Sequence, residues 1–292
     1  MPRVRLPAGE ISYTDSGGDG PCVVLLHGVL MNHSLWREVI PLLREECRCI
    51  APVLPLGGHR TPMSDDADLT LLGIGRIVAD FLEALDLQDV VVVGNDWGGV
   101  QVLMARGRTA RVGKAALVAC EAFDNYPPGL PGRALHSAAR LPGGLFLVAQ
   151  ILRWAPFQRL PMTFGWMAKR AIPPHVVRAW TQPARANRRI RRDLRSYVLG
   201  LPDKRALEQL GRDATRFDKP VLVVWASEDR VMPVEHGRRL AEAFPDARLL
   251  PVDDGYTLLP EDQPELLARA LADFAHGRPV GDSPARRPAS RD

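Results

Sequence analysis

The chain reads as an α/β protein: a mostly parallel sheet flanked by helices, with a helical cap inserted near its middle. Three observations lead there. Short apolar runs bounded by turn signals recur along the chain, longer segments with helical periodicity separate them, and one long stretch near the middle carries no such run. With 292 residues, 46% of them hydrophobic and 25% charged, there is material for a large core and a solvated surface.

The runs are Val23-Val24-Leu25-Leu26, Cys49-Ile50-Ala51-Pro52-Val53, Val90-Val91-Val92-Val93, Ala115-Ala116-Leu117-Val118-Ala119 and Val221-Leu222-Val223-Val224-Trp225. A weaker sixth is Arg248-Leu249-Leu250-Pro251-Val252. Continuous apolar runs of this length suit strands buried on both faces. Between the second and third runs, Leu69, Leu72, Ile77, Val78, Phe81, Leu82 and Leu85 recur at helical spacing and predict an amphipathic helix. Asp262 to Phe274 reads the same way, and two antiparallel edge strands are expected before the Asp15-Ser16-Gly17-Gly18-Asp19-Gly20 turn.

From Phe123 to Pro202 the alternation stops. An insertion at that point would cover the carboxyl edge of the sheet, where open α/β sheets bind ligands. Its aromatics, among them Trp154, Trp166 and Trp180, either fill the cap's own core or line a substrate pocket. The expected layout is therefore a core of residues 1–122 and 203–275, a cap of 123–202, and a Pro- and Arg-rich tail of 276–292 that cannot build a core and is expected to be disordered.

A formal net charge of +4, from 38 basic and 34 acidic side chains, is too small a bias to argue for a nucleic-acid partner. The arginines from Arg185 to Arg195 and those of the tail read as solvated surface. Cys22, Cys47, Cys49 and Cys120 lack metal-ligand spacing and read as buried free thiols. There is no apolar run of membrane-spanning length and no secretion signal after Met1, so a cytoplasmic protein without membrane contact is expected. No phosphate-binding Gly-rich loop or metal-ligand cluster appears, so no cofactor is expected either.

The chemistry concentrates where Val90 to Val93 runs into Gly94-Asn95-Asp96-Trp97-Gly98-Gly99 and then a helix start. A strand, a sharp turn with glycines two before and two after Asp96, and a helix would present the Asp96 carboxylate above the sheet on strained backbone. This Gly-x-Asp-Trp-Gly-Gly segment resembles the nucleophile elbow of haloalkane dehalogenases and epoxide hydrolases in the α/β-hydrolase superfamily. Two further segments carry the resemblance, His27-Gly28 after the first run and Ala226-Ser227-Glu228-Asp229-Arg230 after the fifth. It implies an α/β-hydrolase fold, an oxyanion hole from the backbone N–H groups of Val29 and Trp97, and an acid that orients a catalytic histidine. Asp229 takes the acid's place by position, and Glu121 lies where some dehalogenases put theirs. His27 reads as a loop brace rather than a base.

The pattern breaks at the histidine. After the last run the chain offers Val252-Asp253-Asp254-Gly255-Tyr256-Thr257, with Tyr256 where the family places histidine, and no histidine occurs between His236 and His276. In the family the aspartate forms an alkyl ester, and histidine activates the water that hydrolyses it. Tyrosine, with a pKa of about 10, is a poor replacement at neutral pH. Leu30 also stands where epoxide hydrolases carry proline, Val29 where dehalogenases carry a halide-holding Asn, and Tyr126 and Tyr197 are the tyrosines near or in the cap.

Three readings follow. The first is an enzyme of this ancestry using Asp96, Trp97 and Tyr256 for proton transfer in ring opening, elimination, cyclisation or carbon–carbon bond formation on a small apolar or aromatic substrate, with Tyr126, Trp154 and Trp166 lining the pocket. The second is a true hydrolase with a relocated base, His59 first. The third is a non-catalytic binder, which has little reason to retain a strained elbow.

Overall fold

A computed structural model describes residues 1–97 and 99–281. Its eight strands are β1 (Arg3–Leu6), β2 (Gly9–Asp15), β3 (Cys22–Leu26), β4 (Arg48–Pro52), β5 (Val90–Asp96), β6 (Val112–Cys120), β7 (Val221–Ala226) and β8 (Ala247–Val252). They form one sheet in the order β1-β2-β4-β3-β5-β6-β7-β8. The first two pairings, β1 with β2 and β2 with β4, are antiparallel; every other pairing is parallel. The sheet class and all six apolar runs appear as read, with the two antiparallel edge strands in front of them.

The interior strands are apolar along their whole length because helices cover both faces of the sheet. All seven residues of β5 are buried, as are all six of β7. The covering helices are α1 (Ile40–Leu43), α2 (Leu71–Ala84), α3 (Gly99–Ala105), α9 (Lys204–Ala214), α10 (Val234–Ala243), α11 (Leu259–Asp262) and α12 (Pro264–Ala275). Thr70 caps α2 by accepting the Gly73 N–H on its hydroxyl, and the predicted apolar face of that helix is buried.

Between β6 and β7 lies the long insertion, built of α4 (Gly129–Arg140), α5 (Gly144–Ile151), α6 (Ala155–Gln158), α7 (Pro174–Ala186) and α8 (Arg188–Leu199). Two buried polar links fasten it to the sheet loops. The fully buried Asp193 of α8 takes the Met63 N–H at 2.9 Å and His59 Nε2 at 3.1 Å. Trp180 of α7, also buried, donates from Nε1 to Ser34 Oγ at 2.8 Å.

The start of the expected tail is ordered. His276 Nε2 lies 3.2 Å from the Glu46 carbonyl, Arg278 pairs with Glu46 and Asp273, and Val280 packs on the core. A pair of charge contacts therefore holds residues whose composition alone promised no packing; the rest of the predicted tail, 282–292, lies outside the described residues. All four cysteines are free thiols, three of them buried.

Candidate active site

Strand β3 has β4 on one side and β5 on the other, so the chain turns away in opposite directions after β3 and after β5. A crevice opens at such a point, above the carboxyl ends of the strands. His27-Gly28-Val29 leaves β3 there, and Asp96 ends β5.

Asp96 has φ of +65°, a left-handed conformation that costs a non-glycine residue of order 1–3 kcal/mol and that the surrounding packing must impose. Two glycines make room for it. A Cβ on Gly28 would overlap the Asp96 carboxylate, and one on Gly99 would overlap the Trp97 ring. Of the two glycines read into the elbow, Gly94 is buried in β5, and Gly98 lies outside the described residues.

The Asp96 carboxyl is buried, which lifts its pKa from the ordinary carboxylate range to about 7. The Val29 N–H donates to it and opposes the rise, while the negative charge of Asp229 adds to it. Asp96 thus holds its proton to a higher pH than an ordinary carboxyl group does. It faces a cavity of about 390 Å³ whose floor comes from the strand ends and whose roof comes from the 123–202 insertion. The lining is apolar apart from Asp96, Glu121, Thr163 and Tyr197; among the described residues no histidine, lysine or arginine reaches it.

Glu121, just past β6, is buried in this lining. Its backbone N–H donates to the Asp96 carbonyl at 3.0 Å, and its own carbonyl accepts from Gln101 Nε2 at 2.6 Å, so its position is tied to the elbow. The Tyr197 hydroxyl reaches Glu121 Oε2 at 3.5 Å, and the Tyr126 hydroxyl reaches the Glu121 carbonyl at 3.4 Å. Burial, then the charge of Glu121, pushes both phenols well above their ordinary range, so each is a neutral O–H donor. Tyr197 is the site residue that the sequence reading left without a role. It sits on a helix whose other buried positions are ordinary core, and only the strand-end carboxylate opposite marks it out.

Asp229 has a different job. Its Oδ1 accepts three hydrogen bonds at 2.8 Å, from the Val231 and Met232 N–H groups and from the Thr257 hydroxyl. Its Oδ2 is buried and finds no partner among the described residues. Burial raises its pKa to about 6, against the pull of those three donors.

The residue that meets Asp229 is therefore Thr257, not Tyr256. The Tyr256 N–H donates to Asp262 Oδ2 at 2.9 Å, and its ring lies under the Arg230 guanidinium, 4.7 Å from the ring centre. Thr257 is turned the other way because Asn95 Nδ2 holds its carbonyl at 2.7 Å. A one-residue step in this loop exchanges which side chain faces the sheet. The expected catalytic place of Tyr256 is corrected accordingly.

Other expected positions also shift. The Trp97 N–H is spent on the Asn95 carbonyl at 2.7 Å, so Val29 is the amide that faces Asp96 and the two-donor oxyanion hole is not assembled. The Trp97 indole is buried beside the Tyr197 hydroxyl and pulls that phenol's pKa down against the larger effect of burial. Trp154, at the start of α6, is 64% exposed, and Trp166 and Tyr126 pack on the core; none of the three lines the cavity. Leu30 does line it, with φ of +58°, a value closed to proline, whose ring fixes φ near −65°. The loop after His27 therefore takes a course that a proline at that position would forbid.

His27 and His59 are both engaged outside the cavity. His27 accepts the Leu54 N–H on Nε2 at 2.9 Å, which leaves Nδ1 to donate to the Gly28 carbonyl at 2.8 Å. Burial lowers its pKa to about 3, so it is a neutral brace, as read. His59 takes the Gly57 N–H on Nδ1 and directs Nε2 to Asp193. Both ring nitrogens of His59 are engaged away from the cavity, which removes it as a displaced base.

With this geometry, the chain's place among known proteins is clear. It belongs to the α/β-hydrolase fold family, whose model matches residues 21–264. It is 28% identical over 270 residues to haloalkane dehalogenase 2 of Mycobacterium tuberculosis, covering 90% of each chain. It is 26% identical over 257 residues to the uncharacterized hydrolase YugF of Bacillus subtilis, covering 86% of this chain and 89% of that one. Among solved structures, a putative ancestral haloalkane dehalogenase superposes with a TM-score of 0.74 at 22% identity, over 95% of this chain and 99% of that one, and so shares the fold.

Proposed function

We propose that this protein is an enzyme in which Asp96 exchanges a proton with a small apolar substrate instead of attacking it to form an ester. One observation carries this reading. A carboxyl group raised to about pKa 7 faces an apolar cavity in which the other ionisable lining groups are Glu121 and Tyr197, with no imidazole among the described lining residues. A general acid or base works best when its pKa is near the working pH, and burial has moved Asp96 there. Glu121 supplies a second acid–base group, and the Tyr197 hydroxyl supplies a donor to a substrate oxygen. Ring opening, elimination, cyclisation and carbon–carbon bond formation all fit a donor and acceptor that return to their starting state in one pass.

The elbow and the dehalogenase relatives favour a second reading, hydrolysis through an Asp96 ester. That route needs a group to activate water, and Thr257, which occupies the position opposite Asp229, has no basic nitrogen. A bromoalkane and an aryl epoxide incubated with the protein separate the two. Proton transfer predicts no halide or diol release and no mass increase on intact protein. An adduct that accumulates on Asp96, or steady release of halide or diol, would replace the first reading by the second.

A further inference from the structure

Ten large hydrophobic side chains are exposed among the described residues, and seven of them fall between Leu141 and Met162, in one part of the insertion. Phe157, Leu160 and Met162 both line the cavity and stand 38% or more exposed, so the apolar surface runs continuously into the cavity mouth. Leu147 at 59% and Trp154 at 64% stand exposed in the same part of the insertion. A contiguous exposed apolar area on a folded chain marks an interaction site.

Charge says what kind. Residues 123–202 hold thirteen Lys and Arg against two acids, Asp124 and Asp193, whereas the rest of the chain holds 25 against 32. The modest overall charge hides a strongly basic insertion on an acidic body. Its ion pairs use Lys169, Arg170, Arg189 and Arg192. Arg140, Arg153, Arg188 and Arg191 are left without a carboxylate partner among the described residues. The two properties interleave, since the Arg191 guanidinium lies 5.1 Å from the centre of the Phe146 ring. Exposed aromatic and aliphatic side chains among unpaired arginines are the composition that binds an anionic bilayer surface: the apolar groups enter the acyl boundary and the arginines meet phosphates.

We propose that the insertion docks on an anionic lipid surface, with the cavity mouth turned toward the bilayer. No helix is long and apolar enough to cross a membrane among the described residues, so contact would be peripheral. This revises the expectation, drawn from net charge and run length, that the protein meets no membrane. It stands independently of the proton-transfer reading, because it concerns the rim and not Asp96.

The test uses the full chain with vesicles of phosphatidylcholine alone and of phosphatidylcholine mixed with phosphatidylglycerol. Co-sedimentation should occur with the mixed vesicles only and fall several-fold when salt is raised to ~0.5 M, where screening is nearly complete beyond about 4 Å. The double variant Leu147→Ser, Trp154→Ser should lose at least about tenfold in partitioning while keeping the wild-type circular dichroism, since both side chains are surface groups. The double variant Arg188→Gln, Arg191→Gln should weaken binding to the mixed vesicles and leave the fold intact. Absence of binding to either vesicle, or equal binding by the Leu147/Trp154 variant, would overturn the proposal. A concentration-dependent dimer in sedimentation velocity that the same variant abolishes, without vesicle binding, would overturn it in favour of a second copy of this chain.

Discussion

Asp96 ends β5 and Asp229 lies three residues past β7 of the same sheet, and desolvation raises both carboxyl groups above the usual carboxylate range. They nevertheless do opposite things. Asp96 is turned outward by a strained backbone and faces the cavity with one amide donor, from Val29. Asp229 is turned inward, and three donors converge on one of its oxygens to pin the Val231–Met232 turn to Thr257. Burial alone does not mark a reactive group. What differs is whether the surrounding donors complete the carboxylate or leave it open to a ligand.

The largest gap between the two should appear in rate. Replacing Asp96 by Asn removes the proton carrier and is expected to lower turnover by about 10²–10⁴-fold, the usual worth of a positioned acid or base. Replacing Asp229 by Asn, measured on the same substrate, should cost less than about tenfold. Comparable losses at both positions would mean that Asp229 also takes part in the chemistry.

Stability should show the reverse contrast. Asp229→Ala leaves two amides and a hydroxyl unsatisfied at a buried position and should cost roughly 2–4 kcal/mol in a denaturant titration. Asp96→Asn should instead stabilise the fold, and more so at high pH. The folded pKa of Asp96 is raised from 3.8 to about 7, so between those values the folded chain keeps a proton that the unfolded chain has lost. Native stability therefore falls as pH rises through that window, to a ceiling of about 4 kcal/mol at 1.36 kcal/mol per unit. The advantage of Asp96→Asn over wild type should be small near pH 4 and several-fold larger at pH 8. A gain independent of pH would show that Asp96 titrates normally.

The smallest effect belongs to Thr257→Val. It removes one hydrogen bond to Asp229 and should cost about 1 kcal/mol, with the pH profile of the reaction unchanged. A shifted profile would mean that Asp229 is coupled to the reacting group through this hydroxyl.

Much of this architecture was legible in the chain itself. Apolar runs located the interior strands to within three residues, because a strand buried on both faces has no other composition open to it. The elbow was legible for a related reason: a buried strand that runs straight into a helix start leaves its last residue, Asp96, on a sharp turn, which the structure places at positive φ with Gly28 and Gly99 making room. The loop after β8 was not. Which of Tyr256 and Thr257 faces Asp229 is decided by two other side chains, the distant Asn95 and the nearer Asp262, whose hydrogen bonds set the course of the backbone. The role of Tyr197 was hidden likewise, since helical spacing gives it the same signature as Leu194 and Val198 beside it. The charge asymmetry of the insertion was present in the composition but averaged away in the total.

Asp262 carries one more consequence. Its two carboxylate oxygens receive the amides of Lys169, Arg170 and Tyr256, between 2.8 and 2.9 Å away, so one side chain joins the insertion to the loop that carries Thr257. Three amides from two segments far apart in the chain share a single carboxylate, and none can open while the clasp holds. In hydrogen–deuterium exchange they should be released together, with one common opening free energy, and Asp262→Asn should accelerate all three in parallel.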